Sequence, residues 1–195
     1  MAGLNRGDQL SNEASLKYFL LGSLASCIFI YGIALLYVSL SIIGLYEINI
    51  AINYIGLNNV PLTSFIGIIF IIVGLLFKVA AAPFQAWAPD VYQGSPTGYV
   101  GYMAAVAKAA SFVVLARLIT VSLRFILDQF DLFFSAVVIL SVLGGALFAT
   151  NQSDLNRLIA YTGVSQSGFI LSGISSGVFG VSASTFYLIT YIIQL

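Results

Sequence analysis

The stretch Ile71-Ile72-Val73-Gly74-Leu75-Leu76-Phe77-Lys78-Val79-Ala80-Ala81-Ala82-Pro83 decides how the chain is read. A lysine stands inside an apolar run, and a proline follows it five residues later. At 1.5 Å of rise per residue, Lys78 lies roughly 20 Å along a helix that begins near Thr63. Proline has no N–H, and its ring clashes with the carbonyl four residues back, here that of Val79. The helix is therefore expected to kink or break about one turn past Lys78, freeing a carbonyl next to an ammonium. Broken helices occur inside membranes where they line a cavity or are buried in protein. An ionisable residue there points to function. The competing reading is that Lys78 snorkels to the interface and Pro83 only marks a helix end.

The rest of the chain supports a membrane setting. Of its 195 residues, 60% are hydrophobic and 7% charged, with a mean hydropathy of +1.04. Soluble domains carry about 25% charged residues, so a water-facing surface could not be built from this composition. Seven basic and seven acidic residues balance, which gives no electrostatic reason to expect nucleic acid. There is no histidine and one cysteine, Cys27. No metal-ligand spacing or internal disulfide framework follows. The polar start, Met1 to Asn12, lacks the apolar core of a signal peptide. The chain stops inside an apolar run at Leu195, so a piece of a longer subunit is expected.

Six apolar segments are predicted, at 16–40, 63–82, 97–119, 132–150, 157–175 and 181–195. Each is near the length that crosses a bilayer as a helix. The expected architecture is all-α, a polytopic transmembrane helix bundle with a proline-broken helix, forming one domain over 1–195. Gly22 and Ser26, at small-xxx-small spacing, are expected at a close helix contact. Residues 41–62 read as a loop and 83–96 as a short connector. Basic residues divide as Arg6, Lys17 and Arg157 against Arg117 and Arg124. That difference is too small to assign an orientation.

Lys108 is the second residue that points to chemistry. It lies mid-segment in Ala104-Ala105-Val106-Ala107-Lys108-Ala109-Ala110-Ser111, roughly 15 Å from either end. Its stem reaches only about 6 Å by snorkelling. The amine therefore needs a partner, a hydrated cavity or the neutral form. An amine able to leave the charged form both takes up and releases a proton. The alternative is a structural lysine paired with a carboxylate on another helix. Both lysines are placed to face one interior path. Arg157, Tyr161, Ser165 and Gln166 recur at about helical spacing and form a polar stripe that either lines a water path or holds helices together. Asp90 reads as a solvated loop residue, and Glu13–Lys17 as an ordinary i,i+4 pair. No phosphate loop or nucleophile elbow is present.

The run Phe77-Lys78-Val79-Ala80-Ala81-Ala82-Pro83-Phe84-Gln85-Ala86-Trp87-Ala88-Pro89-Asp90-Val91-Tyr92-Gln93-Gly94-Ser95-Pro96-Thr97 closely resembles the signature of the subunit N (subunit 2) family of respiratory complex I. The stretches Asn12 to Gly22 and Gln152 to Tyr161 resemble the same family. The resemblance implies an antiporter-like subunit in which buried charges carry protons across an energy-coupling membrane, bacterial inner or mitochondrial inner. Lys78 matches the lysine of the family's broken helix and Lys108 that of the next helix, with Pro83, Tyr161, Ser165 and Gln166 in support. It implies that this chain is the middle of a subunit of NADH:quinone oxidoreductase. Such a chain holds no cofactor or metal. Flavin, iron–sulfur clusters and quinone belong to partner subunits, and its neighbours are other membrane-arm subunits and lipid. Gln85 and Gln166 stand where many relatives have histidine, which counts against a histidine relay. Asn156 stands for a usual lysine and Gly98 for a usual proline. A multisubunit cation/proton antiporter component and a structural piece without pumping are the alternatives.

Overall fold

The computed structural model describes residues 2–3, 7–56, 59–124 and 126–195. Arg6, which entered the charge comparison, lies outside them. The chain is all-helical, with no strand among the described residues. Its elements are α1 (Gln9–Leu40), α2 (Leu45–Ile55), α3 (Leu62–Lys78), α4 (Trp87–Gly94), α5 (Thr97–Ser122), α6 (Asp131–Thr150), α7 (Leu155–Ser175) and α8 (Val178–Gln194).

Helix α1 starts seven residues before the apolar run does, because Asp8 accepts a hydrogen bond from Leu10 N–H and caps it. Its 32 residues run about 48 Å, longer than a bilayer core of about 30 Å. The polar end carrying Glu13 and Lys17 therefore projects beyond the apolar span. Asp154 caps α7 in the same way, accepting from Asn156 N–H at 2.8 Å. Three helices, Gln9–Leu40, Thr97–Ser122 and Leu127–Thr150, are long and apolar enough to cross a membrane. The last includes a 3-10 turn at Leu127–Phe130 that leads into α6.

Two stretches read as irregular are helical. The 41–62 loop contains α2, which buries Ile48 and Ile52 at i,i+4 spacing and is tied to the end of α5. Asn49 Nδ2 donates to Val121 O at 2.7 Å, and Ser122 Oγ donates to Leu45 O at 2.9 Å. The 83–96 connector contains α4.

Close packing decides which helices meet. A methyl group on Gly32 would lie 2.7 Å from Gly67 O, so α1 and α3 touch backbone to backbone there. The contact expected at Gly22 and Ser26 is not made among the described residues. Gly22 has nothing within 4 Å of an added Cβ, and both residues line a cavity instead. The core then runs from Ile72 and Leu76 of α3 through Phe112 and Leu115 of α5 to Phe134 of α6 and Leu171 of α7. Outward faces are apolar, with Val38, Leu132 and Phe179 strongly exposed.

Helix α3 ends at Lys78, four residues short of the expected 82. Ala80 adopts φ +56°, its N–H donates to Phe77 O at 3.0 Å, and the N–H of Ala81 donates to Leu76 O at 3.0 Å. These paired bonds close a helix around a left-handed residue, a position usually held by glycine. Here it is a fully buried alanine. Ala80→Val is expected to destabilise the complete subunit by about 2 kcal/mol, because a β-branched residue fits left-handed backbone poorly. Thermal unfolding in detergent measures this, and an unchanged midpoint would count against the assigned backbone.

Candidate functional site

The break between α3 and α4 leaves two main-chain groups that need outside partners. The N–H that would bond Val79 O in a continuing helix belongs to residue 83, and Pro83 has none. Val79 O instead accepts from Ser167 Oγ of α7 at 3.0 Å. Ala82 N–H donates to Ser141 Oγ of α6 at 2.8 Å. Both serines are buried, at 1% and 0% exposure, and without them the break would leave unpaired groups in an apolar interior. Trp87 of α4 closes the gap from the other side, with Nε1 donating to Phe77 O at 3.0 Å.

Lys108 enters the same cluster. It follows a π-helical turn, Met103–Ala107, within α5, lies roughly 17 Å from Thr97 and is 2% exposed. Its Nζ donates to Gly163 O at 2.9 Å and, over a longer 3.4 Å, to Ser167 Oγ. None of the ion pairs among the described residues includes it. Gly163 makes room for the amine: a Cβ there would lie 3.0 Å from Lys108 Nζ and 2.9 Å from Tyr191 Oη of α8. The carbonyl released by Pro83 thus meets an ammonium through one hydroxyl. That ammonium belongs to Lys108 rather than to Lys78, as the sequence alone suggested.

Lys78 stands at the last turn of α3 with its side chain exposed on this chain. Its Nζ is 5.6 Å from the centre of the Phe29 ring. It opens into a cavity of about 760 Å³ shared with Ser15, Tyr18, Ser26 and Trp87. Ala107 and Ser111 reach that cavity, but Lys108 between them does not line it. The two lysines therefore face different spaces and are joined through the main chain at Val79. Pro83 follows the break with its ring exposed.

The residues of the polar stripe on α7 make contacts with neighbouring helices. The Tyr161 ring packs 5.6 Å from that of Phe148 on α6. Ser165 Oγ donates to Val142 O at 3.4 Å, and Gln166 Oε1 accepts from Tyr187 Oη on α8. Arg157 turns to α4. Its Nη1 lies 2.9 Å from Asp90 Oδ1, and Lys17 Nζ lies 2.5 Å from Asp90 Oδ2 and 2.6 Å from Glu13 Oε1. Asp90 is thus a helical residue bridging α1 and α7, not a solvated loop carboxylate. It brings Lys17 and Arg157 to one end of the bundle. Sequence reasoning missed Ser141, Gly163, Ser167 and Tyr191. Gly163 and Ser167 carry the small-xxx-small spacing that was credited only to Gly22 and Ser26.

A family model described as NADH:quinone oxidoreductase/Mrp antiporter, transmembrane, matches residues 1–194. The chain belongs to that family. Within the family, it is 43% identical over 193 residues to the NADH-quinone oxidoreductase subunit N of Mycobacterium tuberculosis, covering 98% of this chain and 36% of that one. It is 37% identical over 195 residues to the NAD(P)H-quinone oxidoreductase subunit 2 of a Nostoc species, covering 98% of this chain and 37% of that one. Among solved structures, a chain of respiratory complex I from Thermus thermophilus superposes with a TM-score of 0.78 at 36% identity, over 98% of this chain and 40% of that one. The chain spans little more than a third of the length of the curated relatives it matches. A membrane-protein setting for these helices follows from the family and from their composition.

Proposed function

We propose that this chain forms part of a proton-translocating membrane-arm subunit of an NADH:quinone oxidoreductase. The observation that carries the reading is a lysine 2% exposed, without a carboxylate partner among the described residues, held by a carbonyl and a hydroxyl next to a helix break. An isolated buried charge is costly, and a lysine so placed exchanges its proton more readily than one locked in an ion pair. Lys108 accepts and releases a proton at Nζ, and Lys78 does the same from the cavity beside α1. Pro83 keeps the break open. Tyr161, Ser165 and Gln166 support the site by holding α7 against α6 and α8.

Electron transfer then takes place elsewhere. Flavin, iron–sulfur clusters and quinone sit in partner subunits, and the neighbours here are other membrane-arm subunits and lipid. The setting is an energy-coupling membrane, bacterial inner or mitochondrial inner, crossed by a single helical unit. The description of the matching family also covers Mrp antiporters, so a multisubunit cation/proton antiporter is the second reading. Sodium-dependent proton flux in the absence of flavin and iron–sulfur partners would favour it.

The test is Lys78→Ala in the complete subunit, assembled in its complex. The proton-to-electron ratio in sealed vesicles is expected to fall while assembly persists. A normal ratio in that variant would reject the role of Lys78.

A further inference from the structure

We propose that the Ser167 hydroxyl is a two-position switch that ties the proton on Lys108 to the end of the interrupted helix carrying Lys78. The inference rests on the proton-transfer reading above and adds a positioning residue to it.

Ser167 Oγ lies within hydrogen-bond distance of three groups: Lys108 Nζ at 3.4 Å, Gly163 O at 2.8 Å and Val79 O at 3.0 Å. A hydroxyl has one hydrogen to give and lone pairs to receive with. While Lys108 is an ammonium, all its hydrogens point outward as donors. Ser167 Oγ can only accept from it, so its single hydrogen goes to a carbonyl. Gly163 O already receives Lys108 Nζ at 2.9 Å. Val79 O has no other donor among the described residues, because Pro83 supplies none. The hydrogen therefore belongs on Val79 O.

When Lys108 gives up its proton, Nζ gains a lone pair and becomes an acceptor. Ser167 can then turn its hydrogen toward Nζ, and Val79 O loses its partner. No bond to carbon changes. One proton leaves Lys108 Nζ for a water molecule, which carries it on as hydronium, and one hydrogen bond moves. Val79 follows Lys78 directly and is the residue that caps α3, so release of its carbonyl loosens the turn holding Lys78. The surroundings leave this exchange undisturbed. Helix α7 offers Gly163 O and Ser167 Oγ to the amine. Helix α8 contributes the phenol of Tyr191 near Gly163. Lys78 is the charged residue at the end of α3, and no carboxylate forms an ion pair with Lys108 among the described residues.

The test uses the complete subunit in its assembled complex, with the proton-to-electron ratio measured across pH for the native protein, Ser167→Ala, Ser167→Thr and Lys108→Met. Ser167→Ala removes an acceptor from the ammonium, so the pH profile is expected to move toward lower pH by about one unit. Ser167→Thr, which keeps the hydroxyl, is expected to restore the native profile. A uniform loss with an unmoved profile would make Ser167 a packing residue and overturn the switch, as would a native ratio and profile in Ser167→Ala. If Lys108→Met itself pumps normally, the proton-transfer reading falls. If Lys108→Met fails and the Ser167→Ala profile stays put, only the switch falls.

Discussion

Lys108→Met in the complete subunit is expected to cut proton transfer through it about a hundredfold, the scale on which a positioned acid–base group acts, while the assembled protein stays as stable or gains stability. Methionine matches the stem of lysine without its charge. Ser167 Oγ keeps its single hydrogen on Val79 O at 3.0 Å, and Gly163 O lies inside α7, where the helical ladder supplies its donor, so no polar atom of the site is orphaned. An unpaired buried charge carries a desolvation penalty of several kcal/mol, which an apolar group of similar volume does not have. A structural lysine behaves in the opposite way, with stability falling together with activity. Two measurements on one preparation separate these outcomes: the proton-to-electron ratio in sealed vesicles and the thermal midpoint in detergent.

Gly145→Val is expected to destabilise the subunit by about 3 kcal/mol, at the upper end of overpacking costs, and to deplete the assembled complex. A Cβ at Gly145 would lie 2.5 Å from Ser165 N and 2.9 Å from Tyr161 O. Both are backbone atoms of α7 and cannot rotate away. Separating α6 from α7 also removes Ser141, one turn before Gly145, from Ala82 N–H, and so loosens the break. Gly22→Val is the matched control. Its Cβ meets nothing within 4 Å among the described residues, and assembly is expected to be unchanged. The quantity to measure is the fraction of subunit recovered in the complex. Equal recovery of the two variants would contradict the α6–α7 contact.

The break was legible because its cause is covalent. Pro83 lacks a donor wherever it sits, and Val79 is four residues before it in any conformation. The position of the helix end was not legible, because Ala80 takes the left-handed role without the glycine that signals it. Helix α2 was hidden by its length and by asparagines that suggest a loop, although Ile48 and Ile52 hold the helical spacing. The capping serines were the least readable part. Serines inside membrane helices commonly bond a carbonyl of their own helix, as Ser26 bonds Gly22 O and Ser111 bonds Ala107 O. Only the tertiary arrangement distinguishes Ser141 and Ser167 from those. The burial of Lys108 was readable from depth alone, since snorkelling cannot bring a mid-span amine to water. Asp90 was misjudged because its partners, Lys17 and Arg157, lie on helices distant in sequence.

The central claim is that Lys108 works by losing its proton and not merely by being positive. Arginine keeps the charge and the donors but stays protonated in proteins. The decisive measurement is therefore the proton-to-electron ratio of Lys108→Arg in the complete, assembled subunit. The ratio is expected to drop as far as it does in Lys108→Met. A ratio equal to that of the native protein would contradict the account.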